Sequence, residues 1–123
     1  MRHATFGHDP EKWEAAKQEA LRALQVFAKA ARLTTYGDLA GKITAIRFEP
    51  DDHAFHHLLG QLSAESDERG LGMISARVVR KGGERLPGPG FFKLAGDLGR
   101  DVSDKVKCWS SEVERVYRAA GRI

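Results

Sequence analysis

Leu33-Thr34-Thr35-Tyr36-Gly37-Asp38-Leu39-Ala40 is the stretch on which the fold turns. Thr35 and Asp38 stand three residues apart in a capping-box-like pair. The hydroxyl can accept a free amide of the first helical turn, and the carboxylate complements the positive helix end. They predict a short helix over residues 36–43, with Leu39, Ala40 and Ile43 turned inward.

Working outward, residues 9–31 read as a long helix. Asp9 caps it, Pro10 fits its first position and Glu11 suits its first turn. Trp13, Ala16, Ala20, Leu24, Phe27 and Ala31 recur at three- and four-residue steps as one buried stripe, so Lys12, Lys17, Gln18 and Arg22 should face water. After the short helix, residues 44–52 break the pattern. A third helix starts near Asp51 or Asp52, buries Phe55, Leu58, Leu59 and Leu62, and ends at Gly70.

The period then changes. Residues 73–81 are apolar and β-branched and read as a strand. Lys81-Gly82-Gly83-Glu84 signals a turn, and Leu86-Pro87-Gly88-Pro89-Gly90 a rigid loop. Residues 91–98 read as a return strand or a short helix, of which a helical turn ending at Gly99 is preferred. A final helix over 103–120 carries Val102, Val106, Trp109, Val113, Val116 and Tyr117 on one stripe, with room for a break near Ser110, where Ser111 and Glu114 form a second capping box.

Helix, short helix, helix, β-ribbon, helix is the order of a winged helix-turn-helix. The expected architecture is therefore α+β and mostly helical. It comprises a single domain over 1–123, with a core at 30–99 flanked by helices over 9–31 and 103–120.

With 123 residues, 41% hydrophobic and 30% charged, the chain can form one core without disulfide or metal. The single cysteine, Cys108, fits a reducing cytoplasm and reads as an idle thiol. No stretch has the length and apolarity of a membrane helix, and Met1 to Pro10 lacks the apolar run of a signal peptide. The net charge of +3 suits nucleic acid without demanding it.

Thr35-Tyr36-Gly37-Asp38-Leu39-Ala40, Leu58-Leu59-Gly60, Arg77-Val78-Val79 and the glycine-rich loop over 82–90 leading to Phe91-Phe92-Lys93 occur in that order. In order and spacing the chain resembles the C-terminal DNA-binding domain of the O6-alkylguanine DNA alkyltransferases and the alkyltransferase-like proteins. The likeness covers residues 30–99, and Leu86-Pro87-Gly88-Pro89-Gly90-Phe91-Phe92 also resembles a signature of small bacterial proteins. The resemblance implies a winged-helix DNA binder in which Tyr36 crowds a phosphate beside a rotated base. The alkyltransferases carry Pro-Cys-His-Arg where this chain has Ile74-Ser75-Ala76-Arg77, so the reactive cysteine becomes Ser75 and its activating histidine Ala76. A serine without a neighbouring base is a poor nucleophile. The family's intercalating arginine would fall at His56 or His57.

The remaining candidates are polar side chains for DNA contact. At about 100° per residue, His53, His57 and Gly60 share the outward face of the third helix. An i, i+4 histidine pair can chelate a metal, but no spacing supplies further ligands from Asp52, His3 or His8, so no metal or cofactor is expected. His57 or Gln61 could donate to a base edge. On the ribbon, Arg77 and Val79 would share one face and Val78 and Arg80 the other. Arg80, Lys81 and Arg85 would make a basic tip for phosphate. The expected DNA contacts are thus Thr35, Tyr36, His53, His57, Gly60, Gln61, Arg77, Arg80, Lys81 and Arg85. Against this, Asp51, Asp52, Glu65, Asp67 and Glu68 outnumber Arg69 on the third helix. That excess opens the alternative of a protein adaptor or immunity-type protein using an acidic helix. No catalytic motif marks the chain as an enzyme.

Overall fold

The computed structural model describes residues 5–82 and 85–121. Among these, five α-helices surround a two-stranded parallel sheet: α1 (Pro10–Lys29), β1 (Thr34–Thr35), α2 (Tyr36–Ala40), α3 (His53–Glu68), β2 (Val78–Val79), α4 (Pro89–Asp97) and α5 (Lys105–Ala120). The protein is mostly helical with a small sheet. Thr34 pairs with Val78 and Thr35 with Val79.

The predicted start of α1 is present: Asp9 Oδ2 accepts the Lys12 amide at 3.3 Å, and Pro10 leads the helix. Trp13, Ala16, Ala20 and Leu24 are buried, whereas Phe27 is half-buried and Ala31 exposed. Lys17 departs from expectation. It is 3% exposed, and its ammonium donates to Glu65 Oε2 on α3 at 2.6 Å. A carboxylate from another helix makes that burial tolerable.

The α3 core side chains Phe55, Leu58, Leu59 and Leu62 are buried, and Gly70 follows the helix with a φ of 78°. They join α1, α2 and the end of α5 in the larger core cluster. A second cluster gathers Met73, Ala76, Phe91, Phe92, Ala95 and Cys108 between α4 and α5.

Between the clusters runs the segment read from sequence as a strand, and here the expectation fails. Ile74–Arg77 is a 3-10 turn, and the strand is only Val78–Val79. The β-ribbon is not formed among the described residues. Instead, β2 pairs back to β1, and one backbone bond, from the Arg80 amide to the Leu86 carbonyl (3.0 Å), closes the following loop. Gly83 and Glu84 of the expected turn lie outside the described residues.

The physical reason is that side chains from two helices serve this backbone. Ser63 Oγ on α3 accepts the Ser75 amide at 2.9 Å, Glu112 Oε2 on α5 accepts the Met73 amide at 2.8 Å, and Trp109 donates to the Ala76 carbonyl at 2.9 Å. A fully buried apolar run with such partners needs no neighbouring strand. Gly72 permits the approach to α5. Its φ is +79°, and a Cβ there would meet Glu112, Arg115 and Val116 at 3.1–3.2 Å.

α4 covers the expected helical turn and ends before Gly99. α5 runs without a break through Ser110, whose hydroxyl donates to the Val106 carbonyl. Its buried face matches the expected stripe in part: Val116 is buried and Val102, Trp109 and Val113 pack half-buried on the second cluster, but Val106 and Tyr117 are exposed, and Cys108, Glu112, Ala119 and Ala120 also point inward. The inward Glu112 is matched by Arg100, whose Nε donates to Glu112 Oε1 at 3.0 Å and whose Nη1 donates to Asp67 Oδ2 at 3.1 Å. Burial raises the Cys108 thiol pKa, and Glu112 raises it further, so the thiol stays protonated. No helix among the described residues is long and apolar enough to cross a membrane.

Candidate nucleic-acid interface

Thr35 caps α2, its Oγ1 accepting the Asp38 amide at 3.2 Å. That geometry turns Tyr36 inward to 8% exposure, edge-on to Phe55 and stacked on His56 with centroids 4.5 Å apart and ring planes 9° apart. The tyrosine hydroxyl accepts the Gly88 amide at 2.8 Å, and His56 Nε2 donates to the Pro50 carbonyl at 2.8 Å. Gly88 packs closely here: a Cβ would sit in ordinary contact, 3.5 Å from the Tyr36 hydroxyl and 3.7 Å from His56. Burial raises the Tyr36 pKa above its ordinary value, against the Gly88 hydrogen bond and the nearby Arg80 charge. The start of α2, the first turn of α3 and the loop after β2 are therefore pinned at one point.

Arg80, Lys81 and Arg85 lie exposed on that loop. The Arg80–Leu86 backbone bond closes it and brings the flanking cations together. His53 and His57 are exposed on α3 beside the same anchor, with their Nε2 atoms 3.0 Å apart. Phe6 lies 4.5 Å from the His57 ring and partly shields it from solvent. That desolvation lowers the His57 pKa, helped by the neighbouring charges of His53 and His56.

Other expected contacts are used within the fold. Gly60 sits not on an open outward face but toward α4, where a Cβ would lie 3.9 Å from Leu94. Gln61 accepts the Trp13 indole N–H at 2.9 Å and ties α3 to α1. Arg77 does not share a strand face with Val79. It is 2% exposed in the 3-10 turn and reaches the carbonyls of Arg32 and Val113 at 3.5 Å each. Burial lowers its pKa, while Glu114 and Tyr117 oppose the shift. Val78 and Val79 are both buried.

The acidic count of α3 also changes meaning. Glu65 pairs with Lys17, Asp67 pairs with Arg100, and Asp52 Oδ2 accepts the Glu49 amide at 2.8 Å. These partners lie far away in sequence or in an irregular turn, so the charge pattern of α3 alone does not reveal them. Sequence reasoning likewise missed His56 and Phe6 as the packing partners of Tyr36 and His57. Ser75, at the position corresponding to the family's reactive cysteine, is 7% exposed and paired with the Ser63 hydroxyl. His3 lies outside the described residues, and His8 stacks on Trp13 with centroids 5.9 Å apart.

No protein-family model matches the chain, and the searches of curated proteins and of solved structures found no match.

Proposed function

We propose that this domain binds DNA as an alkyltransferase-like module and carries out no alkyl transfer. The Arg80–Arg85 loop would meet phosphates, and the N-terminal half of α3 would lie against the duplex. The observation that carries the reading is the Gly88–Tyr36–His56 anchor, which ties the loop bearing three exposed cations to the N-terminal end of α3, where His53 and His57 are exposed. A basic loop on a rigid support suits backbone contact, which positions a protein on DNA without selecting sequence.

Two further features support it. The segments that carry the resemblance, Thr35-Tyr36 and Arg77-Val78-Val79, are neighbours through the β1–β2 pairing. The internal pairing of Glu65 and Asp67 neutralises two of the five acids counted on α3, both at its C-terminal end. The same pairing reduces the acidic surface that motivates an adaptor reading. Ser75, hydrogen-bonded to Ser63 and followed by Ala76, supplies no activated nucleophile to this scheme.

The test is fluorescence anisotropy with a labelled duplex across a salt series. If the three loop cations each displace a counterion, they contribute about −2.7 to the slope of log K against log salt. That is about a fortyfold loss of affinity between roughly 50 and 200 mM salt. Replacing Arg80, Lys81 and Arg85 with alanine should remove this component. Absence of duplex binding at low salt, or a slope untouched by the triple substitution, overturns the proposal.

A further inference from the structure

His53 and His57 lie one turn apart on α3, both exposed, with their Nε2 atoms 3.0 Å apart and ring centroids 4.4 Å apart. We propose that this pair is a bidentate site for a first-row divalent transition-metal ion, with Cu(II) the best fit. The inference is independent of the DNA reading and runs against the expectation from spacing that no metal binds here.

The separation carries the argument. An ion at the usual distance of about 2.0–2.1 Å from each imidazole nitrogen would see the two nitrogens at about 95°. That is close to the cis angle of a square-planar or octahedral ion. A tetrahedral ion asks for about 109°, hence nitrogens about 3.3 Å apart. The pair therefore fits Cu(II) or Ni(II) as it stands, and zinc only after the rings move apart. The Irving–Williams order favours copper among these.

The rings are also preorganised. Without metal, one Nε2–H donates to the other Nε2, so both nitrogens already point into the same space. On binding, that proton moves to Nδ1 of its own ring, which leaves two neutral Nε2 donors. Phe6 packs 4.5 Å from His57 and 5.9 Å from His53 and limits ring rotation. Phe6 is held there by a tight turn in which its φ is 53° and the His8 amide donates to the Thr5 carbonyl at 3.0 Å. That left-handed conformation is strained for a non-glycine residue and persists only where surrounding contacts hold it. No group of three or more His, Cys, Asp or Glu that could hold a metal occurs among the described residues. Water completes the coordination, and the site is open and exchangeable.

The test is calorimetric titration of the whole chain with Cu(II), Ni(II) and Zn(II) salts, without DNA and in a non-chelating buffer. It uses the His3→Ala background, so that His3 does not compete for the ion. One ion should bind per chain, with affinity falling in the order copper, nickel, zinc. His53→Ala and His57→Ala should each weaken binding by about a hundredfold, as expected when one arm of a two-point attachment is lost. Paramagnetic resonance of the copper form should show two equatorial imidazole nitrogens, a readout independent of any variant. Binding that is absent, insensitive to both substitutions or limited to one imidazole nitrogen overturns the proposal.

Discussion

Two charged regions of this molecule behave in opposite ways. Around the 3-10 turn, Arg100, Asp67, Glu112 and the Met73 amide form a closed set in which donors meet acceptors from the protein itself. On the other region, Arg80, Lys81 and Arg85 are exposed on a loop anchored by Tyr36 and His56. The first set spends its charge on joining α3, α5 and the turn. The second leaves its charge exposed, where the proposed DNA contact would use it. Formal charge therefore says little about function until the partners are known.

The comparison breaks most visibly at the closed set. Arg100→Ala strips Glu112, which is 1% exposed, of its principal cation and should destabilise the fold by about 3–5 kcal/mol in urea unfolding. Any folded fraction should keep its DNA affinity. A loss near zero would mean that Arg115, 3.7 Å from Glu112, can take over, and the two regions would be less distinct than argued.

Alanine at Arg80, Lys81 and Arg85 together should do the reverse. Unfolding free energy should stay within about 0.5 kcal/mol per site, as usual for surface changes. The salt dependence of DNA binding should flatten.

Tyr36→Phe sharpens the contrast, because Tyr36 links the two behaviours. It removes the acceptor for the buried Gly88 amide and should cost about 1–3 kcal/mol of stability. It should also weaken DNA binding by loosening the loop, although every loop cation remains.

The smallest effect is at Glu19, whose carboxylate accepts the Thr44 amide, the Thr44 hydroxyl and the Ala45 amide at 2.8–2.9 Å. These bonds, that to the Thr44 amide foremost, lower its pKa. A carboxylate with a depressed folded pKa stabilises the fold above its unfolded value of about 4.3, and the contribution disappears as pH falls through the folded value. Glu19→Gln should therefore lower the urea midpoint at pH 7 and narrow the gap from wild type below pH 4.

The legible parts of the fold were those fixed by local chemistry. Asp9 and Pro10 announce α1, Thr35 and Asp38 announce α2, and the spacing of Phe55, Leu58, Leu59 and Leu62 fixes the face of α3. What stayed hidden depends on partners distant in sequence. Lys17 reads as a surface lysine until Glu65 arrives 48 residues later. Glu112 reads as a solvent residue until Arg100 and the Met73 amide close on it, so the buried face of α5 is wider than the expected stripe on that side, while Val106 and Tyr117 fall outside it. The strand reading of residues 73–81 failed because periodicity cannot distinguish a buried strand from a buried 3-10 turn whose amides are served by Ser63 and Glu112. At the candidate site, exposure at Arg80, Lys81, Arg85, His53 and His57 matched the reading. Tyr36, Gly60, Gln61 and Arg77 are engaged in packing or internal hydrogen bonds that their residue types alone do not disclose.

Amide chemical-shift mapping during titration with a short duplex tests the central claim most directly. The account predicts shifts concentrated at residues 80–82, at Arg85 and along 53–57, with the Arg100–Glu112 region silent. Shifts centred on the outer faces of α1 and α5, or no shifts at saturating duplex, would contradict it.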